Sequence, residues 1–114
     1  MSNTTSESIG IEISSRESVI LEWCATLVPQ DSHSPEIRQA IDEFRANKGS
    51  VEEEPFSTVS TSCALSLASL ARAARKKFHE RIQKATNDHD KEVQDEWLAF
   101  EFERGQLIEK LEEA

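Results

Sequence analysis

Apolar residues recur at helical spacing in three stretches of the chain, and residues typical of helix ends separate them. One face of the first stretch carries Val19, Ile20, Trp23 and Leu27. Ser14 followed by Glu17 matches a capping box, in which each side chain satisfies a backbone N–H of the other residue. Pro29 disfavours helical geometry at the residue before it. The pattern therefore predicts a short helix over residues 15–28.

A second short helix is predicted from Ser34 to about Lys48. Ser34 is a suitable N-cap, and Pro35 suits the first helical position because it needs no amide partner there. The apolar face of this helix carries Ile37, Ala40, Ile41 and Phe44. Their spacing is that of one helix face, and Gly49 suits the end of the helix.

The third stretch, from Thr58 to Glu113, contains no proline and one glycine, Gly105. An eleven-residue spacing relates Leu67, Phe78, His89, Phe100 and Leu111. An eleven-residue repeat that spans about three helical turns has about 3.67 residues per turn, so helices with this repeat pair almost straight. The preferred prediction is one continuous, coiled-coil-like helix of about 80 Å.

A helical hairpin that breaks near residues 86–90 is the alternative. Thr86, Asn87, Asp88 and Asp90 are cap and turn formers, and a hairpin would place the basic segment before them against the acidic segment after them. Neither glycine nor proline occurs at this position, and the apolar stripe keeps its phase through it. Both observations favour the continuous helix.

The fold class predicted from these patterns is all-α, with two short helices followed by one long helix. The predicted organisation is a flexible tail over 1–14, two short helices over 15–48, an acidic linker over 49–57 and a long helix over 58–114. Within the tail, Ile9, Ile11 and Ile13 alternate with other residues, which is weak support for a strand. We expect extended chain there, able to add to the sheet edge of a partner.

Composition and charge agree with an elongated helical protein. The chain has 114 residues, 37% hydrophobic and 31% charged, and a net charge of −9. Such an acidic chain is poorly suited to general nucleic-acid binding, which depends on clustered Lys and Arg. One basic block is the exception: Arg72, Arg75, Lys76, Lys77, Arg81 and Lys84. Phosphate or nucleic-acid contact through this block is the alternative function.

The long helix carries more apolar surface than two short helices can cover, so we expect it to bind another helical protein or a second copy of the chain. Aromatic residues are common at interaction hot spots. The predicted partner-binding residues are Phe78, Ile82, Val93, Trp97, Leu98, Phe100, Phe102, Leu107 and Leu111. The expected function is a non-catalytic subunit or adaptor of a protein assembly, with no membrane contact.

No catalytic, metal-binding or cofactor-binding motif is found in the sequence. The three histidines, His33, His79 and His89, have no His or Cys partner at a ligand spacing. Cys24 and Cys63 are predicted to be buried free thiols, although a disulfide between the two helical regions stays possible. No secretory signal is visible, so we expect a cytoplasmic or nuclear protein.

Overall fold

A computed structural model describes residues 10–48 and 57–113. Within these ranges the chain forms five α-helices and one small antiparallel sheet, so the all-α prediction holds broadly. The elements in chain order are β1 (Ile11–Ile13), α1 (Ser15–Leu27), α2 (Pro35–Ala46), β2 (Ser57–Val59), α3 (Thr61–Ala73), α4 (Arg75–Asn87) and α5 (Lys91–Glu112). A single 3₁₀ turn, Gln30–Ser32, lies between α1 and α2.

The first two helices begin where their capping residues predict. At α1 the Glu17 amide donates to Ser14 Oγ at 3.1 Å, and the Ser14 amide donates to Glu17 Oε1 at 2.9 Å. At α2 the Ile37 amide donates to Ser34 Oγ at 3.2 Å. These bonds satisfy amides that have no partner within the helix, so local sequence is sufficient to define both starts.

The small sheet was predicted in part only. Ile11–Ile13 is extended as the alternation suggested, but it pairs within the chain, antiparallel to Ser57–Val59. The pairing buries Ile13 and Val59 in the core. The third helix consequently begins later than expected, with Ser60 as its N-cap. The rest of the predicted tail, residues 1–9, and the linker residues 49–56 lie outside the described ranges.

The prediction of one continuous C-terminal helix is wrong, and the hairpin alternative is correct. The helix ends at Asn87, and His89 adopts a left-handed conformation with φ of 57°. The His89 amide donates to the Thr86 carbonyl, and the Asp90 amide donates to the Ala85 carbonyl. This pair of bonds is the Schellman termination of a helix. Asp90 then caps α5 by accepting from the Val93 amide at 3.2 Å.

Folding back at this turn places α5 along both α3 and α4. Only Ala74 separates α3 from α4, and α5 packs on both of them and on α1, while α2 packs on α3. The longest dimension is 58 Å, shorter than the roughly 80 Å of a continuous helix. The core therefore lies between α5 and the helices on which it packs, and the outer side of α5 faces away from it.

Candidate interaction surface

The core next to α5 is built around Trp97. Its ring makes edge-to-face contacts with Trp23 on α1, Phe78 on α4 and Phe100 on α5, at centroid distances of 5.1, 5.4 and 5.2 Å. Edge-to-face packing brings the positive edge of one ring to the negative face of the next. The Arg81 guanidinium lies 5.7 Å from the Trp97 ring centroid. This aromatic cluster joins three helices.

The structure divides the nine predicted partner-binding residues into two groups. Buried in the core are Phe78, Trp97, Phe100, Leu107 and Leu111, and Ile82 is partly buried against it. The exposed ones are Val93, Leu98 and Phe102. The expectation that the C-terminal stripe stays uncovered fails for most of its length, because the two arms of the hairpin cover each other. A partner can reach only the exposed group in this fold.

A buried arginine occupies a polar position of the predicted apolar stripe. Arg104 donates two hydrogen bonds to Glu101, at 2.9 and 2.8 Å, and a third to the Ala71 carbonyl at 2.8 Å. Burial alone would raise the pKa of Glu101, but hydrogen bonds from Arg104 and His79 lower it below its usual 4.5. The charge of Arg104 is therefore paired within the chain, and its fork of donors ties α5 to α3.

Three further ion pairs connect α5 to elements distant in sequence. They are Arg16–Glu103 at 2.6 Å, Arg72–Glu112 at 2.6 Å and Lys110–Glu17 at 2.8 Å. Hydrogen bonds from the arginines lower the pKa of Glu103 and of Glu112. Each pair is exposed and individually weak. Two of them join α5 to α1, and the third joins α5 to α3.

The outward side of α5 carries the most exposed large apolar side chain described. Phe102 is 66% exposed and Leu98 is 46% exposed. The two are four residues apart, so they are neighbours on one helix face. Phe102 lies two and a half turns from the fully buried Leu111, which places it on the side opposite the core. Val93 is also exposed, but it lies on the opposite side of the helix from Phe102 and does not share this face.

Gly105 follows Phe102 on the same side and leaves the helix surface open there. A Cβ added at Gly105 would meet no atom within 4 Å, and its φ is not positive. Glycine within a helix costs about 0.5–1 kcal/mol relative to alanine. The described fold supplies neither crowding nor backbone geometry that requires this glycine. We define the outer face of α5 as Leu98, Phe102 and Gly105 with the residues in line with them.

Charged residues continue the outer face in both directions. Lys91 and Asp95 precede Leu98, and Glu109 follows Gly105. The steps between successive members, from Lys91 to Glu109, are four, three, four, three and four residues. Such alternation follows one side of a helix and is the spacing of a helix-pairing seam. Lys91 and Asp95 form an exposed pair at 3.4 Å; Glu109 has no ion pair among the described residues.

Four side chains of the basic block predicted for phosphate contact have a charged or aromatic partner within the chain. Arg72 pairs with Glu112, Lys77 approaches Glu80 at 3.8 Å, and Lys84 pairs with Asp88 at 2.9 Å. Arg81 lies over the Trp97 ring. In the described part of the chain only Arg75 and Lys76 of this block have neither an ion pair nor a ring contact.

The two cysteines are buried free thiols, as predicted. Burial raises the pKa of each thiol to about 12, and Cys63 Sγ donates to the Ala40 carbonyl at 3.3 Å.

Over residues 10–48 and 57–113, no group of three or more His, Cys, Asp or Glu is placed to hold a metal ion. Nor does any helix in those ranges have the length and apolar character needed to cross a membrane.

Comparisons with protein-family models, curated proteins and solved structures find no match to this chain. Sequence reasoning singled out Leu98 and Phe102 but missed Gly105. The alternating four- and three-residue spacing around Phe102 could have indicated this face. The sequence analysis followed the eleven-residue spacing of the buried side instead.

Proposed function

We propose that this protein is a non-catalytic adaptor or assembly subunit that binds another α-helix through the outer face of α5. One observation carries the proposal: Leu98 and Phe102 stand side by side on the surface, although most apolar side chains of the hairpin are buried. Burying a Leu or Phe side chain contributes about 1.5–3 kcal/mol. Leaving this adjacent pair exposed makes sense if a partner covers it.

The proposed contact is helix to helix because the outer face is narrow, straight and open at Gly105. A small residue beside a large one accepts the side chain of a neighbouring helix. Val19 and Leu65 are also exposed, but each lies on a different helix. The two buried thiols suit a reducing compartment, so we place this function in the cytoplasm or nucleus.

The alternative of phosphate binding has weaker support. A nucleic-acid surface needs basic side chains free to contact phosphates on one side of the molecule. Four members of the basic block already contact acidic or aromatic side chains of this chain. In the part of the chain that the structure describes, only Arg75 and Lys76 of the block lack such a contact, so phosphates would have to compete with those contacts for the other four basic side chains.

Site-specific photocrosslinking in cells tests the proposal. Phe102 is replaced by benzoylphenylalanine, which keeps an aromatic ring at an exposed position, and a matched variant carries the same group at Lys76 on α4. We expect a discrete crosslinked product from position 102 and none from position 76. Adding Leu98→Glu to the position-102 variant should remove that product, because it introduces a charge into the contact.

The proposal would be overturned by the absence of a discrete product at position 102. An equal yield from position 76 would overturn it too, because nonspecific collision would then explain both. Circular dichroism of each purified variant is the control for folding.

A further inference from the structure

We propose that the helix bound by the outer face of α5 is α5 of a second copy, paired antiparallel, which rests on the function proposed above. The inference commits to this occupant because of the order of residues along the seam. From the amino end of the helix, the seam reads Lys91, Asp95, Leu98, Phe102, Gly105 and Glu109. All six face outward, exposed except for the half-buried Gly105.

Antiparallel pairing about a twofold axis near residue 100 places each of these six positions opposite another of the six in the second copy. Leu98 lies opposite Phe102 of the second copy, and Phe102 lies opposite the second Leu98. The four apolar side chains therefore meet at the centre. Ala99 lies beside the axis, where a small side chain lets two helices approach closely. Gly105 lies opposite Asp95 and leaves room for it.

The same alignment places opposite charges at the two ends of the seam. Lys91 of each copy lies opposite Glu109 of the other. Parallel pairing would set Lys91 against Lys91 and Glu109 against Glu109, which is repulsive at every charged position. The chain carries a net charge of −9, so self-association needs such local complementarity to offset the repulsion between two acidic molecules.

The seam is short, which sets the strength expected of the dimer. From Lys91 to Glu109 it is about 27 Å long at 1.5 Å per residue. Its apolar centre consists of two side chains from each copy. An interface of this kind falls among the small ones, which are reversible and weak. We therefore expect a dimer with a dissociation constant in the micromolar range, present in rapid exchange with monomer.

Sedimentation equilibrium of the purified full-length chain tests the proposal at about 0.15 M salt, over micromolar to submillimolar concentrations. The native chain should fit a monomer–dimer equilibrium. Phe102→Glu should be monomeric throughout. Lys76→Glu makes the same change of charge as Lys91→Glu but on α4, and should leave the dissociation constant unchanged.

A charge swap tests the antiparallel register. Lys91→Glu and Glu109→Lys should each weaken the dimer about tenfold, because each creates two like-charge contacts. The double variant Lys91→Glu with Glu109→Lys should return to within about twofold of the native value, because the pairs are restored with reversed sign. Both changes suit the helix dipole, with acid at the amino end and base at the carboxyl end, which offsets the loss of the exposed Lys91–Asp95 pair within α5.

Failure of this inference is distinguishable from failure of the proposed function. A monomeric native chain that still crosslinks to a different protein at position 102 overturns self-pairing and leaves the adaptor function standing. A monomeric chain without any crosslink overturns both. If the Phe102→Glu variant still dimerises, the outer face of α5 is not the interface. If the double variant does not restore the dimer, the antiparallel register is wrong.

Discussion

At the scale of single residues, His89 decides the shape of the C-terminal half. Its φ of 57° turns the chain between α4 and α5. Residues with a side chain pay about 1–2 kcal/mol in the left-handed region, although His, like Asn and Asp, occurs there more often than most. The Schellman bonds of His89 and Asp90 stabilise the turn. The sequence showed turn formers at this position but no glycine, which is the usual residue for such a conformation.

His89→Gly should stabilise the protein by about 0.5–1 kcal/mol, because glycine adopts positive φ without the steric cost. In a continuous helix the same change would destabilise by a similar amount, because glycine lowers helix propensity. The sign of the change therefore separates the two architectures. Urea denaturation followed by circular dichroism measures it.

The matched control is Lys76→Gly, an exposed position within α4. It should destabilise by about 1 kcal/mol. A loss of stability in both variants would contradict the hairpin turn at His89.

At the scale of elements, the two sides of α5 have different roles. Its inner side carries Trp97, Leu107 and Leu111 into the core, and its outer side carries Leu98 and Phe102 into solvent. The sequence shows apolar residues at both sets of positions. The sequence could not show which side the rest of the chain covers, because a straight helix and a hairpin bury the same inner stripe against different neighbours.

The distance between labels on α4 and α5 measures the hairpin directly. Spin labels at Lys76→Cys and Gln106→Cys should lie within about 20 Å, since neighbouring helix axes are 8–10 Å apart. The ion pair Arg72–Glu112 and the His79–Glu101 contact bring these two positions to the same level. In a continuous helix the separation would be about 45 Å.

The native cysteines need no replacement for this measurement. Both thiols are buried, and burial raises the pKa of each to about 12, so they should stay unlabelled while the protein is folded. Dilution with unlabelled protein removes distances between copies. A dominant separation near 45 Å would disprove the fold-back.

At the scale of the whole molecule, carboxylates paired with bases from distant elements link stability to pH. Glu22, Glu101 and Glu103 have pKa values lowered below 4.5, in each case with hydrogen bonds from basic side chains among the causes. The unfolded chain therefore binds protons before the folded chain does as the pH falls. Their stabilisation is complete above about pH 4.5 and is lost as the pH falls below it.

We expect the contribution of these carboxylates to the urea midpoint to be nearly constant from pH 7 to pH 5. The midpoint should then decrease as the pH is lowered past 4.5. Glu101→Gln should make that fall shallower, because it removes one of the groups responsible. Glu12→Gln, at an exposed position of β1, is the matched control and should leave the fall unchanged. Stability that rises on acidification through this range would contradict the ion pairs.

The sequence by itself determined the local features of this protein. Ser14, Glu17 and Ser34 define helix starts through hydrogen bonds to amides within three residues, and apolar spacing identifies the inner faces. Such interactions depend only on near neighbours along the chain. The sequence also shows that Leu98 and Phe102 do not fall in the eleven-residue repeat of Leu67, Phe78, Phe100 and Leu111.

Only the tertiary structure decided which surfaces of the helices are buried and which elements cover them. The pairing of β1 with β2, the turn at His89 and the burial of Trp97 rest on contacts between residues far apart in sequence. Spacing along one helix carries no information about such contacts, because the same stripe packs equally well against a partner or against the chain's own returning arm. The returning arm is always present at high effective concentration, so it covers the inner stripe and leaves the outer face of α5 exposed.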